Sequence, residues 1–465
     1  MVAAVAPHAG EAPRTRLYPP TVEPPPVPLP FAKFLVQFVR NPLLTIARPV
    51  YHDDMLVRET GRRLVIYITD PKLVEEVLLK GAENFHKTPI EKRIFKNTLG
   101  DGILTSQGPS WRWQRRTAAP LFRVSDLNAL VPQMTAEAEA QAARWRTARP
   151  GKIQSIDLDM TETTFRVIST TMFGGKADGD AREVLHASDR ALASVSWDIA
   201  AAIVDLPEWV WYPGRNLRRS AGRKLRELTE RMLQRRRETG LDGTDLMSRL
   251  ANAKDPETGK PMSESQLVDN LLTFLGAGHE TTAKALTWSL YLLARAPEWQ
   301  DRIVEEINRV CGDAPIGAEH LDDLEVTRAV FKEAMRLYPP APIMNRILSE
   351  DMTLGGKEMK AGTFIVIPIY AIHRHHKLWT DPDLFDPTRF FKENEAKQAR
   401  AQFMPFGFGP RTCIGMSFAM MEGVALLGTF VRRARFGWDG QHLPEPLSRI
   451  TLRPAGGMPL HVHPR

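Results

Sequence analysis

Cysteine is nearly absent from this sequence. Its 465 residues include only two cysteines, Cys311 and Cys413. Two cysteines cannot form a disulfide framework in a chain of this length, and no charged-then-apolar leader precedes a small-residue cleavage site. We therefore predict a cytoplasmic protein in which both cysteines are free thiols.

Long apolar runs are missing as well. Residues 31–47 are apolar in places, but Lys33, Arg40 and Pro42 interrupt them, and a membrane-spanning helix needs roughly 20 apolar residues. Hydrophobic residues make up 43% of the chain and charged residues 25%, which is ordinary for a globular domain. We predict no transmembrane segment, with peripheral contact of 31–47 with a membrane surface as an alternative.

Basic residues outnumber acidic ones and give a formal net charge of +7. Such an excess favours anionic partners, but the sequence contains no recognisable nucleic-acid-binding motif, so we predict no nucleic-acid partner. Arg112, Arg115 and Arg116 flank two tryptophans. Clustered charges of this kind are usually a solvated face, and an acidic electron-transfer protein becomes a candidate partner only if a redox cofactor is present.

Proline is concentrated in residues 1–30, which predicts an extended tail before the fold begins. Residues 31–465 are predicted to form one domain. Residues 64–68 predict a strand, and 352–368 predict a small β-rich subregion. Most of the remaining chain has helical patterning, so the expected fold is mainly α with small β-sheet regions.

The longest predicted helix begins at a capping box formed by Ser263 and Gln266 and continues to Ala296. It is apolar on several faces, which predicts a central position. A polar insert at 276–282 combines glycines, an acid and two hydroxyls. Thr281 in isolation is best explained as a hydroxyl bonded to the preceding turn, whereas beside a cofactor a locally opened helix with an acid and an alcohol can hold oxygen and water.

Cys413 lies in a glycine-rich loop at 406–415 that leads into an apolar helix. The glycines let a flat ligand approach the backbone closely, Phe406 can shield the sulfur from water, and Arg411 can reach an anion. A heme has both an iron that accepts a thiolate and anionic propionates. Cys311 lacks such surroundings and is expected to be structural.

Two other cofactor types are disfavoured. The loop glycines lack the GxGxxG spacing and the strand-to-helix context of a dinucleotide site. His373, His375 and His376 do not provide a complete ligand set with structural-zinc spacing.

These segments together resemble the cytochrome P450 family of heme-thiolate monooxygenases, from about Leu64 to the C-terminus. The family's loop motif is matched at every fixed position, by Phe406, Gly407, Gly409, Arg411, Cys413 and Gly415. The resemblance implies that Cys413 is the axial ligand of the heme iron. It also implies a cytochrome P450 fold, with the long central helix lying over the heme.

Three further motifs of that family are present. Ala277, Gly278, Glu280 and Thr281 match its central-helix motif, which implies an oxygen pocket with Glu280 and Thr281 as catalytic residues. Glu333, Arg336 and Arg389 match its structural triad, although Thr388 replaces the usual glutamate before the second arginine. Trp111, Arg115 and Arg346 match residues that face the heme propionates together with Arg411.

The resemblance implies a monooxygenase that uses heme b (iron protoporphyrin IX) and O2 to insert one oxygen atom into an apolar organic substrate, with hydroxylation as the expected reaction. Electrons are expected ultimately from NAD(P)H, through an external ferredoxin or flavodoxin and its reductase, and Arg112 and Arg116 are candidate docking residues. Alternatives are a heme-thiolate sensor or electron-transfer protein, and a peroxide-driven peroxygenase or isomerase. Substrate access is expected around 85–106 and 195–215, where Trp209 and Trp211 are either packing or contact residues.

Overall fold

The computed structural model of the chain describes residues 16–60, 63–147, 153–174, 180–193, 195–207, 209–241, 243 and 245–465. The first half of the predicted proline-rich tail, residues 1–15, lies outside this part. The fold is mainly helical with small sheets, as predicted.

Helices supply most of the described structure. The α-helices are α1 (Phe31–Arg40), α2 (Pro71–Glu75), α3 (Pro89–Leu99), α4 (Gly108–Ala118), α5 (Val124–Asn128), α6 (Val131–Thr147), α7 (Ile156–Met172), α8 (Asp180–Ala193), α9 (Val195–Ile203), α10 (Arg215–Glu238), α11 (Leu246–Asn252), α12 (Glu264–Arg295), α13 (Pro297–Cys311), α14 (Glu325–Leu337), α15 (Ile369–Ile372), α16 (Lys392–Glu395) and α17 (Met416–Arg433).

The strands form four small sheets within the described residues. They are β1 (Met55–Thr60), β2 (Arg63–Ile68), β3 (Phe85–His86), β4 (Ile153–Ser155), β5 (Met344–Leu348), β6 (Met352–Leu354), β7 (Lys357–Met359), β8 (Phe364–Ile367), β9 (Ala434–Gly437), β10 (Pro446–Ser448), β11 (Leu452–Pro454) and β12 (Pro459–Pro464). The largest sheet has the order β1-β2-β8-β5-β3, with β2 and β8 parallel. The predicted strand at 64–68 lies in β2, and the predicted subregion at 352–368 contains β6, β7 and β8, so both predictions are confirmed.

Helix α12 runs through the core, because apolar side chains surround it on several faces. The predicted capping box is present: the Ser263 hydroxyl accepts from the Gln266 backbone N–H, and the Gln266 side chain accepts from the Ser263 N–H. Trp288 and Tyr291 are completely buried, and α7, α10, α14 and α17 pack around the helix. The polar insert at 276–282 lies within α12 and is α-helical throughout.

The Glu333, Arg336 and Arg389 side chains meet beside α14. Glu333 and Arg336 are completely buried and form a bidentate pair, with N–O distances of 2.6 and 2.8 Å. The Arg336 guanidinium also donates to three backbone carbonyls, those of His373, Pro382 and Leu384. Arg389 Nε lies 3.7 Å from Glu333 Oε1. A buried ion pair is tolerated only when its remaining hydrogen-bonding capacity is satisfied, and these backbone contacts meet that requirement for Arg336.

Residues 16–30 contain no helix or strand, but they lie against the body of the protein. Leu17 and Val22 are buried in the main hydrophobic core. The Tyr338 hydroxyl donates to the Pro20 carbonyl over 2.8 Å, and the Val22 N–H donates to the Tyr370 hydroxyl over 3.3 Å. This part of the expected tail therefore contributes to the core.

Membrane spanning is not supported by the helices described. None of them combines the length with the apolar character that crossing a bilayer requires.

Candidate active site

A large cavity of about 940 Å³ lies between α12 and the Cys413 loop. Most of its wall is apolar, with Phe274, Phe331 and Val366 among the lining residues. The predicted catalytic and cofactor-binding residues share this wall. Those residues are Trp111, Arg115, Ala277, Gly278, Glu280, Thr281, Arg346, Phe406, Gly407, Arg411, Cys413 and Gly415. The structure therefore brings together side chains from α4, α12, β5 and the loop before α17.

The backbone of the Cys413 loop adopts conformations at two positions that favour glycine. Gly407 and Gly409 have φ values of 75° and 74°, in the left-handed region that favours glycine. A Cβ on Gly409 would also lie 2.0 Å from the Leu78 carbonyl oxygen, so the loop packs too closely on that backbone for any side chain. The Cys413 N–H donates to the Phe406 carbonyl over 2.9 Å and closes the loop.

The Cys413 thiol faces the cavity. Burial by the surrounding protein raises the pKa of this thiol, while the Gly415 backbone N–H and the Arg115 guanidinium oppose the shift. A thiol in such surroundings is protonated when nothing is bound to it, and a metal that binds its sulfur displaces the proton. Cys311 is buried at the end of α13, where burial also raises the pKa of its thiol.

Four cations cluster on the same wall: Arg115, Arg346, Arg411 and Lys87. Burial, together with the neighbouring Arg346, lowers the pKa of Arg411 to about 10. Burial lowers the pKa of Lys87 to about 8, although Glu91 opposes this shift. Burial also lowers the pKa values of Arg115 and Arg346. Desolvation therefore opposes the positive charge of the whole cluster.

The nearby protein acids do not neutralise this cluster. Glu91 interacts with Lys87, Arg346 and Arg411, and it supplies one negative charge to four cations. The other carboxylates among the described cavity-lining residues are Asp205 and Glu280, and Glu280 pairs elsewhere. The remaining positive charge calls for an anionic ligand with more than one acidic group.

This donor set fits a heme. The sulfur can bind iron, the apolar walls suit the porphyrin, and the excess cations suit two propionates. Trp111 supports the cluster, since the Arg411 guanidinium lies 3.9 Å from the centre of its ring. Lys87 was missed by the sequence analysis because no motif marks it, although it falls inside the segment expected to control substrate access.

The polar insert of α12 makes three different contacts. A Cβ on Gly278 would lie 2.6 Å from Ile168 Cδ1, so this glycine allows α7 to pack closely. The Thr281 hydroxyl donates to the Ala277 carbonyl over 2.8 Å, which is the bond to the preceding turn expected for an isolated threonine. Glu280 Oε1 accepts from both the Thr451 hydroxyl and Arg453 Nη2, each over 2.7 Å.

Glu422 is a buried acid that the sequence analysis missed. It lies on α17, completely buried, and neither carboxylate oxygen has a hydrogen-bond partner among the described residues. Burial raises the pKa of Glu422 to about 8, and the neighbouring Thr282 hydroxyl opposes the shift. A lone glutamate within an apolar helical run was the available signal.

Four other residues that the sequence analysis singled out lie away from the cavity wall. Arg116 forms a bidentate pair with Asp255, at 2.5 and 2.9 Å, so its guanidinium is already engaged within the chain. Trp209 and Trp211 are exposed and do not line the cavity. His373 is buried with both ring nitrogens bonded to backbone groups, and the described residues contain no cluster of three His, Cys, Asp or Glu that could bind a metal.

Comparisons with known proteins agree with this geometry. The sequence model of the family described as Cytochrome P450 matches residues 24–459. The chain is 31% identical to cyclooctat-9-en-7-ol 5-monooxygenase of Streptomyces melanosporofaciens over 396 residues, which is 85% of each protein. It is 30% identical to cytokinin hydroxylase of Arabidopsis thaliana, covering 88% of this chain and 82% of that protein. It is also 30% identical to human cytochrome P450 4B1, covering 85% of this chain and 80% of that protein.

Glu422→Gln tests the buried acid through the pH dependence of stability. The pKa of Glu422 rises from 4.5 to about 8 on folding, so the native state holds a proton that the unfolded state has lost between these values. Wild-type stability should therefore fall relative to Glu422→Gln as pH rises from 5 to 8, by at most about 1.4 kcal/mol per pH unit. Urea unfolding of both proteins at pH 5, 6, 7 and 8 measures the difference, and parallel pH profiles would contradict a neutral buried acid.

Proposed function

The chain belongs to the cytochrome P450 family, and from this premise we propose which of its residues hold the heme and which handle protons. At the level of the family, it is a heme-dependent monooxygenase that acts on a small-molecule substrate and takes electrons from a redox partner. The observation that carries the assignment of residues is the shared cavity of Cys413 and the four cations. We treat residues 31–465 as one catalytic domain, to which residues 16–30 add packing.

When bound, heme b supplies the reduction of O2 with electrons derived from NAD(P)H and the transfer of one oxygen atom to an organic substrate. Cys413 is proposed to bind the iron as a thiolate, losing its proton as the metal binds. Arg115, Arg346 and Arg411 would bind the propionates, with Lys87 on the same cavity wall. Their charges, desolvated by the protein, favour an anionic ligand over water. Phe406, Gly407 and Gly415 shape the wall next to the sulfur.

Proton handling is assigned to the polar insert of α12. Because the Thr281 hydroxyl donates its hydrogen bond to the Ala277 carbonyl, its oxygen lone pairs are left to accept a hydrogen bond from a protonated group in the cavity. Glu280 accepts hydrogen bonds from Thr451 and Arg453 on Oε1. Its Oε2 is then the atom that exchanges protons with water at the cavity wall. Ala277 and Gly278 leave space beside these groups.

The substrate is proposed to be an organic molecule with a largely apolar body, because most of the cavity wall is apolar. Hydroxylation is the expected reaction. The Glu280 and Thr281 pair on the cavity wall favours oxygen chemistry over a sensor or a simple electron carrier.

The electron donor is proposed to be an acidic ferredoxin or flavodoxin with its reductase, in the cytoplasm. Positive charge near the cysteine side would steer such a partner. Arg112 is more than half exposed and lies 3.6 Å from Glu83, whereas Arg116 is held by Asp255 and Glu257. Arg112 is therefore the proposed docking residue, whereas Arg116 is already engaged by carboxylates of the same chain.

Cys413→Ala tests the axial ligand, with Cys311→Ala as the matched control. Loss of the thiolate should abolish the absorption band at about 450 nm of the reduced carbon monoxide complex. Cys311→Ala should retain that band, since its thiol lies outside the cavity. Difference spectra of the purified proteins give the answer, and a band that persists in Cys413→Ala would disprove the ligand assignment.

Thr281→Ala tests the proton-handling role, with Thr287→Ala as the control because that hydroxyl makes the same backward bond, to Ala283, in the buried core. Thr281→Ala should bind heme normally but divert electrons, with hydrogen peroxide rising several-fold per NAD(P)H consumed. Thr281→Ser should restore coupling, because it keeps the hydroxyl. The measurement is the amount of hydrogen peroxide and of product formed per NAD(P)H oxidised. If Thr281→Ala and Thr287→Ala give the same ratio of product to NAD(P)H, Thr281 has no role in proton handling.

A further inference from the structure

Glu422 is a buried acid to which the proposed function gives no role. It is completely buried on α17, and neither carboxylate oxygen has a hydrogen-bond partner among the described residues. Phe418 and Ala419, which lie one turn earlier on the same face of α17, line the large cavity. Glu422 is therefore one helical turn beyond the cavity wall. A carboxyl group isolated in the interior costs free energy, so its presence there needs an explanation.

Thr282 joins this acid to the cavity. Its side chain lines the cavity wall, and its hydroxyl interacts with the Glu422 carboxyl group and opposes the rise in its pKa. A hydroxyl can donate one hydrogen bond and accept others at the same time. The Thr282 oxygen can therefore accept a proton from Glu422 while its own proton moves to a group in the cavity.

The Thr282 hydroxyl is also held less firmly by its own helix than other hydroxyls of α12. Those of Thr273, Thr281, Thr287 and Ser289 each donate to a carbonyl of the preceding turn over 2.7 or 2.8 Å. The corresponding distance for Thr282 is 3.4 Å, which is longer than an ordinary hydrogen bond between two oxygens. This hydroxyl is therefore available to Glu422.

Other buried charged groups near α17 are engaged elsewhere. Helices α5, α6, α12, α13 and α14 and strand β9 pack against α17. The buried acidic, basic and histidine side chains on these elements have partners of their own: Asp269 with Arg226, His279 with the Leu275 carbonyl, Glu280 with Arg453, Lys284 with Thr161, Glu306 with the Thr327 N–H, and Glu333 with Arg336. Burial and the Thr282 hydroxyl are the causes that set the pKa of Glu422 at about 8.

We propose that Glu422 is a second proton donor to the cavity and acts through the Thr282 hydroxyl. The proposal rests on the proposed monooxygenase function, whose overall reaction takes up two protons for each O2 reduced. The Glu422 O–H bond breaks as the Thr282 oxygen accepts that proton, and the Thr282 hydroxyl proton passes to an acceptor in the cavity. The Glu422 carboxylate then regains a proton from cavity water by the same route, so protons balance over one cycle.

The acidity of Glu422 suits this role. A general acid is most effective when its pKa lies near the pH of the reaction. With a pKa of about 8, Glu422 holds its proton at pH 7 but releases it at a modest cost. A glutamate with the ordinary pKa of 4.5 would already be ionised at that pH.

Infrared difference spectra of the ferric holoprotein between pH 6 and pH 10 test the contact between Glu422 and Thr282. The wild type should show the C=O band of a protonated acid, lost with a midpoint of about pH 8, and Glu422→Gln should lack it. Thr282→Val should move the midpoint to higher pH, because the hydroxyl that stabilises the carboxylate is gone. Thr287→Val is the matched control and should leave the midpoint unchanged. An unchanged midpoint in Thr282→Val would disprove the contact.

Proton delivery is measured by the oxidation of guaiacol with hydrogen peroxide, which requires neither the natural substrate nor a redox partner. Release of water from the peroxide needs a proton at the departing oxygen. Glu422→Gln and Thr282→Val should each lower the initial rate several-fold at pH 7, whereas Thr287→Val should stay within about twofold of the wild type. The wild-type rate should fall as pH rises through 8, because Glu422 loses its proton, and this fall should be absent in Glu422→Gln.

The double variant decides whether the two residues form one route. If they do, Glu422→Gln combined with Thr282→Val should be no slower than the slower single variant, within about twofold. Multiplied effects, or a wild-type rate and pH profile in Glu422→Gln, would refute the relay. The reduced carbon monoxide spectrum separates this failure from a failure of the proposed function. A normal thiolate band with no effect of Glu422→Gln rejects the relay alone, whereas a wild-type protein without the band rejects the heme-thiolate assignment.

Discussion

The structure depends on one electrostatic constraint, an excess of buried positive charge on the wall of a cavity that also exposes a thiol. Arg115, Arg346, Arg411 and Lys87 are desolvated by the protein, and Glu91 offsets only part of their charge. A cluster of this kind is costly unless a ligand brings negative charge. A heme would bring two propionates to the cations and an iron to the sulfur, so its binding would satisfy both features together.

Three buried acids on α12, α14 and α17 differ in how their carboxylates are paired. Glu333 is paired on both oxygens with Arg336, whose guanidinium also donates to backbone carbonyls between residues 373 and 384. Glu280 is held on one oxygen by Thr451 and Arg453, which ties α12 to β11 and to the residue before it. Glu422 has no hydrogen-bond partner among the described residues, and burial keeps it neutral. The three acids thus differ in pairing: Glu333 is fully paired, Glu280 is paired on one oxygen, and Glu422 lacks a hydrogen-bond partner among the described residues.

Local patterns in the sequence were enough to predict the mainly helical fold, the long central helix with its capping box and the strands at 64–68 and 352–368. The spacing of the loop motif singled out Cys413 and Arg411, and the structure places both on one cavity. What the sequence could not show are pairings between distant segments. Arg116 meets Asp255 across 139 positions, and Lys87 reaches the cation cluster from the loop between β3 and α3, which no motif marks.

The polar insert shows that tertiary packing outweighs a local helix-weakening pattern. Glycines and hydroxyls weaken an isolated helix, yet α12 packs closely against α7 at Gly278 and is α-helical throughout.

The central claim, that Cys413 holds a heme iron as a thiolate in this cavity, is tested most directly by iron K-edge X-ray absorption of the ferric holoprotein. The account predicts one sulfur scatterer at bonding distance, about 2.3 Å as for metal–thiolate bonds generally, with the porphyrin nitrogens. A first shell of nitrogen and oxygen alone would contradict it.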